Sequence, residues 1–164
     1  MTRWAIASCL LGVALAGGCG GSGGGPAPRR VVVDPALGAI GPRALDALHA
    51  AMAQLLWPDN LASELRIVAD MDTKLDGYVN SGDRSALHLG PQWINAYPDA
   101  TTTDLHLRVL VAHELGHMLG RDEHLTCDGD TNVMAQNCLP ADARYSAQDI
   151  AFICTATTGG VCRR

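Results

Sequence analysis

The chain has 164 residues and a formal net charge of −5. That length suggests one domain. The acidic balance, with basic residues scattered rather than clustered, gives no nucleic acid as an expected partner.

The start of the chain reads as an export signal. Arg3 supplies a positive charge, Trp4 to Ala16 is an apolar run, and Ala16-Gly17-Gly18 offers small residues before Cys19, the layout of a cleavable signal. The run is shorter than the roughly 20 residues a membrane-spanning helix needs. Leu15-Ala16-Gly17-Gly18-Cys19 resembles the lipobox of bacterial lipoproteins, although Ala16 stands where such boxes usually carry Leu. The resemblance implies lipidation at Cys19 and anchoring to a bacterial cell-envelope membrane, with plain secretion as the alternative. Gly20 to Pro28 (GGSGGGPAP) has no core-forming residues and reads as a flexible tether. The expected division is therefore signal 1–19, tether 20–29 and folded domain 30–164. With only the tether before the first strand, an enzyme active on export, or held in check by another protein, is expected.

Within the domain, Arg30-Val31-Val32-Val33-Asp34 is β-branched and short, and predicts a strand. Pro42 to Trp57 carries Leu45, Leu48, Met52, Leu55 and Leu56 at three- and four-residue steps, which predicts an amphipathic helix with Pro42 in its first turn and Pro58 as its stop. Leu65 to Ala69 predicts a second strand, Asp70 to Asp83 a loop or hairpin, and Ala86 to Leu89 a third strand. Leu105 to Leu119 predicts the second helix, capped by Asp104 or one of Thr101 to Thr103 and ended by Gly120. Arg121 to Arg144 reads as irregular. Ser146 to Ile153 predicts a last helix with Ser146 as cap and Asp149 in its first turn. The order gives a mixed α/β, or α+β, fold.

His113 and His117 are four residues apart, which on a helix leaves about 40° between them and puts both on one face. Two imidazoles on neighbouring turns can share one metal ion, and Glu114 between them can act as general base: this is the HExxH pattern. Zinc suits it, because three protein ligands leave a place for a water whose pKa falls to roughly 7. Gly120 lets the chain turn back after the helix, so that His124 can reach the same ion.

These residues resemble the metzincin clan of zinc peptidases, and within it the matrixins, whose motif is HExxHxxGxxH followed by a Met in a tight turn. His113, Glu114, His117 and Gly120 match position by position, Thr131-Asn132-Val133-Met134 looks like the Met-turn, and Tyr145 to Ala151 resembles the start of the matrixin C-terminal helix. The resemblance implies a metzincin-like fold: a twisted, mostly parallel sheet with an active-site helix and a C-terminal helix. It implies a zinc-dependent endopeptidase with His113, His117 and His124 as ligands, Glu114 as general base, and Gly120 and Met134 in support. The chain departs from the family at one point. The family's third ligand falls on Glu123, and His124 comes one residue later; Glu123 and Asp122 are the alternatives to His124, which imidazole chemistry favours. Gln136 also stands where relatives often carry a Tyr, and Tyr145 is the candidate substitute.

Cys127, Cys138, Cys154 and Cys162 form an even set in an exported chain and predict disulfides. Pairings Cys127–Cys138 and Cys154–Cys162 would each close a short loop. Asp70, Asp72, Asp76 and Gly77 hint at a calcium site, but their spacing is not that of an EF-hand and a solvated loop is the favoured reading; Asp128 and Asp130 are open to the same question. Ser81 to Ile94 is expected to include an edge strand that receives extended substrate by strand addition. His49, His88 and His106 read as ordinary surface or packing residues. A monomer acting on protein or peptide is expected. A lipid-anchored zinc-binding scaffold without turnover and a cell-wall peptide amidase are the competing functions.

Overall fold

The computed structural model describes residues 30–55, 61–95, 101–127, 132–136 and 140–156. The expected signal, Cys19, the tether, Pro58, Asp128, Asp130, Cys138 and Cys162 lie outside them. Four strands form one sheet: β1 (Arg30–Val33), β2 (Glu64–Ala69), β3 (Gly77–Asn80) and β4 (Asp83–Leu89), in the order β1-β2-β4-β3. β1 pairs with β2 and β2 with β4 in parallel, with Val31 opposite Leu65 and Ile67 opposite Leu87; β3 is antiparallel to β4. The fold is thus mixed α and β on a mostly parallel open sheet.

The parallel β1–β2 pair needs a crossover, and α1 (Ile40–Gln54) supplies it. Its buried Ala44, Leu48, Ala51 and Met52 face the core. The helix ends at Gln54, short of the expected Trp57. Leu55 is extended and buried, while the Gln54 side-chain amide donates back to Ala50 O (3.3 Å) and outward to Ala143 O (3.1 Å) and accepts from Tyr145 N (3.0 Å). Strand alternation fills the same core: Leu65 and Ile67 of β2, and Leu87 and Leu89 of β4, are fully buried.

After a short α2 (Pro91–Asn95), α3 (Thr101–Met118) crosses the sheet beside α1. It starts earlier than its apolar pattern indicates. Asp104 and Thr101 to Thr103 lie inside it rather than capping it, and Asp104 instead accepts from Arg43 Nε of α1 at 2.9 Å. From Leu107 onward α3 is buried almost all round, which is why it lacks a clear polar face. α4 (Ala147–Ala156) follows, and its buried Ile153 lies 3.6 Å from where a Cβ on Gly116 of α3 would sit. Its start is a reciprocal capping box: Ser146 Oγ accepts from Asp149 N (3.0 Å), and Asp149 Oδ2 accepts from Ser146 N (2.8 Å). No helix among the described residues is long and apolar enough to cross a membrane.

The strand expected within Ser81 to Ile94 is not the sheet edge. β4 lies inside, between β2 and β3. The edge on that side is β3, whose four residues, GYVN, sit where the sequence reads as a polar loop or hairpin.

Candidate metal centre and catalytic cleft

The last two turns of α3 present His113 and His117, half-buried, on one face, as their spacing requires. Gly120 ends the helical segment with φ +107, in the left-handed region open to Gly, and the chain returns to bring His124 against the pair. The His124 ring centroid is 5.0 Å from each of the other two, which are 4.8 Å from each other. One nitrogen from each of the three lies within 4.8 Å of the others, and among the described residues no other three His, Cys, Asp or Glu converge in this way.

The tautomers follow from the partners. His113 Nδ1 faces Val133 O at 2.8 Å, and His117 Nδ1 faces Arg121 O. A carbonyl only accepts, so both Nδ1 atoms carry their protons and donate. That leaves each Nε2 with a lone pair, and the two Nε2 atoms face each other at 3.1 Å. Two lone pairs at that distance repel. A cation between them removes the repulsion, and tetrahedral zinc with Zn–N of about 2.0–2.1 Å sets its ligand atoms roughly 3.3 Å apart. Burial opposes the alternative of a protonated ring: desolvation lowers the His113 pKa to about 4 and lowers that of His117. The donor set fits a metal of the zinc kind.

The other candidates for third ligand point elsewhere. Glu123 is exposed and pairs with Arg121 at 3.5 Å. Asp122 pairs with Arg84 at 2.7 Å.

Glu114 is 4% exposed, and its Oε2 has no hydrogen-bond partner. Desolvation raises its pKa to about 7, against the opposing effect of the Val79 N–H that donates to it. It lines a cleft of about 630 Å³ together with all three histidines. Leu75, Trp93, Val109 and Leu110 give the lining an apolar part, and Tyr78 and Val79 bring edge strand β3 to it. His106, read from sequence as a packing or surface residue, also lines the cleft, as does Gln136. His49 is exposed and remote, and His88 stacks on Tyr78 at 4.5 Å.

Met134 is fully buried under the histidine helix, and three features missed in the sequence hold it there. A Cβ on Gly116, one of the two unassigned residues inside HExxH, would come within 2.6 Å of Met134 Cε, so a larger residue there would require the buried Met134 side chain to shift. Asp149, read as a helix-capping residue, also accepts from Val133 N (3.0 Å) and Met134 N (2.9 Å) and so fixes the carbonyl that orients His113. Leu125 N donates to Met134 O at 2.9 Å, tying the turn to the chain after His124. Tyr145 does not reach the cleft: it is buried, and its hydroxyl donates to Ala112 O at 2.5 Å.

Asp70, Asp72 and Asp76 form no group of three metal-ligating side chains among the described residues. Asp70 accepts from Asp72 N (3.0 Å), Thr73 N (3.2 Å) and Tyr78 OH (2.5 Å), while Asp76 accepts from Gln92. Cys127 and Cys154 are both disulfide-bonded, and the expected partners Cys138 and Cys162 lie outside the described residues.

No protein-family model matches the chain, and comparison with curated proteins finds no match.

Proposed function

We propose that the protein is a zinc-dependent endopeptidase of the metzincin kind, with His113, His117 and His124 as ligands and Glu114 as general base. The observation that carries the reading is the pair of Nε2 lone pairs facing each other at 3.1 Å in a cleft that also holds the unpartnered carboxylate oxygen of Glu114. A purely structural zinc site has no use for a buried carboxylate oxygen without a partner in the same cleft.

When bound, zinc supplies Lewis acidity toward a water molecule and a scissile carbonyl. The chain's own groups supply the rest. Val133 O and Arg121 O hold the two helix imidazoles in the tautomer that leaves Nε2 free to bind. Glu114 takes a proton from the attacking water and hands it to the leaving amine. Its burial serves this: a carboxyl raised toward neutral pH both accepts and returns a proton readily. Apolar side chains around the cleft exclude bulk water and receive an apolar side chain of the substrate. An extended peptide lies along β3, the exposed edge nearest Glu114, by strand addition. In the same reading the domain is exported and tethered to a membrane through Cys19.

The test is Glu114→Ala assayed for both zinc content and hydrolysis of a general protein substrate. The variant retains zinc and loses hydrolysis, and phenanthroline abolishes the activity of the native protein. Full activity in Glu114→Ala removes the mechanism. A zinc-loaded native protein inert on a broad peptide library supports the scaffold reading instead.

A further inference from the structure

The segment from Arg121 to His124 has no helix or strand of its own to shape it, and it is one residue longer than the HxxGxxH spacing. Side chains from outside it set its course. Arg84 of β4 spans two parts of the site: Nη1 donates to His117 O at 3.1 Å, and Nη2 donates to Asp122 Oδ2 at 2.7 Å. His117 O also accepts from Gly120 N at 2.9 Å, the bond that closes the end of the helix, so Arg84 grips the carbonyl at which the lengthened turn begins. One guanidinium therefore joins the helix turn carrying the second histidine to the residue two before the third. At the start of the segment, Arg121 lies over the Phe152 ring of α4 at 3.8 Å.

We propose that Arg84 is a positioning residue for the metal centre: it holds the lengthened turn in the course that brings the His124 imidazole to His113 and His117. The inference rests on the metal-site reading above. Arginine suits the task because its planar fork presents two N–H groups in fixed directions, one for the carbonyl and one for the carboxylate; lysine, a single flexible point charge, serves one at a time. The Arg84 and Asp122 side chains are 30% and 59% exposed, and an ion pair in such a setting contributes little to stability by itself. Its effect falls on the geometry of the site, where groups that orient metal ligands typically change affinity by about 10- to 100-fold.

The test measures zinc affinity by competition with a chromogenic chelator for the native protein, Arg84→Ala, Arg84→Lys, His124→Ala and the double variant Arg84→Ala/His124→Ala. Arg84→Ala is expected to bind zinc about 10- to 100-fold more weakly, with Arg84→Lys between it and the native protein. Because Arg84 acts through His124, adding Arg84→Ala to His124→Ala produces no further loss. Arg43→Ala, which removes a comparable ion pair to Asp104 away from the cleft, keeps native affinity. An unchanged or tighter affinity in Arg84→Ala overturns the proposal, and so does an equal loss in the His124→Ala background, which marks a merely structural role. If Arg84→Ala does not fold, Arg84→Lys decides in the same way against the His124→Ala background. If the native protein takes up no zinc, the metal-site reading itself fails and this inference with it; native binding that Arg84 variants leave intact removes only the inference.

Discussion

Replacing Asp149 by Ala tests how the floor of the site is held. The carboxylate is fully buried and accepts from Val133 N, Met134 N and Ser146 N at 3.0, 2.9 and 2.8 Å. Val133 and Met134 are themselves 1% and 0% exposed, so water cannot replace the lost acceptor without a local opening. Each buried amide left unpaired costs about 1–3 kcal/mol, and losing the capping box costs about 1 kcal/mol more. The expected destabilisation is about 3–7 kcal/mol, a large part of the 5–15 kcal/mol that holds a typical domain folded. At about 3–4 °C per kcal/mol for a domain of this size, the melting temperature falls by about 10–30 °C. The assay is a thermal melt of the metal-free protein with its disulfides intact. Asp149→Asn keeps one acceptor oxygen and falls between the two. Because Val133 O orients His113, zinc affinity drops as well, by about 10- to 100-fold. A melting temperature unchanged in Asp149→Ala refutes the idea that this carboxylate holds the turn.

Two further substitutions probe burial and packing. Glu114 is raised from 4.5 to about 7, so the folded state favours its protonated form; that stability is present below pH 4.5 and is lost as pH rises through about 7, amounting to about 3 kcal/mol. Glu114→Gln should therefore make the metal-free protein more stable than the native one at pH 8 by up to about 3 kcal/mol, with no such gain at pH 4 in denaturant titrations; equal gains at both pH values contradict the burial argument. His113 works in the opposite direction, its lowered pKa giving stability that is lost as pH falls from 6.5 through about 4, but it is common to both proteins and cancels. Gly116→Ala puts a methyl group against Met134 and should cost about 1–3 kcal/mol by overpacking; a melt that matches the native protein would show that Met134 is not seated against the helix.

The readable parts of the sequence were those with a local period or a local partner. The His113–His117 face follows from four-residue spacing, β1 and β2 from their β-branched and apolar runs, and the start of α4 from Ser146 and Asp149 three residues apart. The missed parts depend on distant partners. β3 was legible only as the hairpin alternative to a loop; pairing with β4 across the turn at residues 81–82 decides for the hairpin. Thr101 to Thr103 have poor helix propensity, yet the helix extends through them where Asp104 meets Arg43 of α1. Gly116 is an unassigned position within its motif until Met134 is seated against it. Asp149 looks like a simple cap until Val133 and Met134, which precede it by sixteen and fifteen residues, are brought to its carboxylate. Arg84 and Asp122, 38 residues apart, carry no local signal at all. The lengthened spacing to His124 left the third ligand open among three residues; the ion pairs of Asp122 and Glu123 with arginines are visible only in the folded chain.

The central claim is that three histidines form one zinc site, with His124 rather than Glu123 completing it. Zinc content and affinity of the native protein, His124→Ala and Glu123→Ala, measured side by side after metal exchange, test it most directly. The account predicts equimolar, tightly held zinc in the native protein and in Glu123→Ala, and loss or marked weakening of zinc in His124→Ala. Native stoichiometry and affinity in His124→Ala would contradict it.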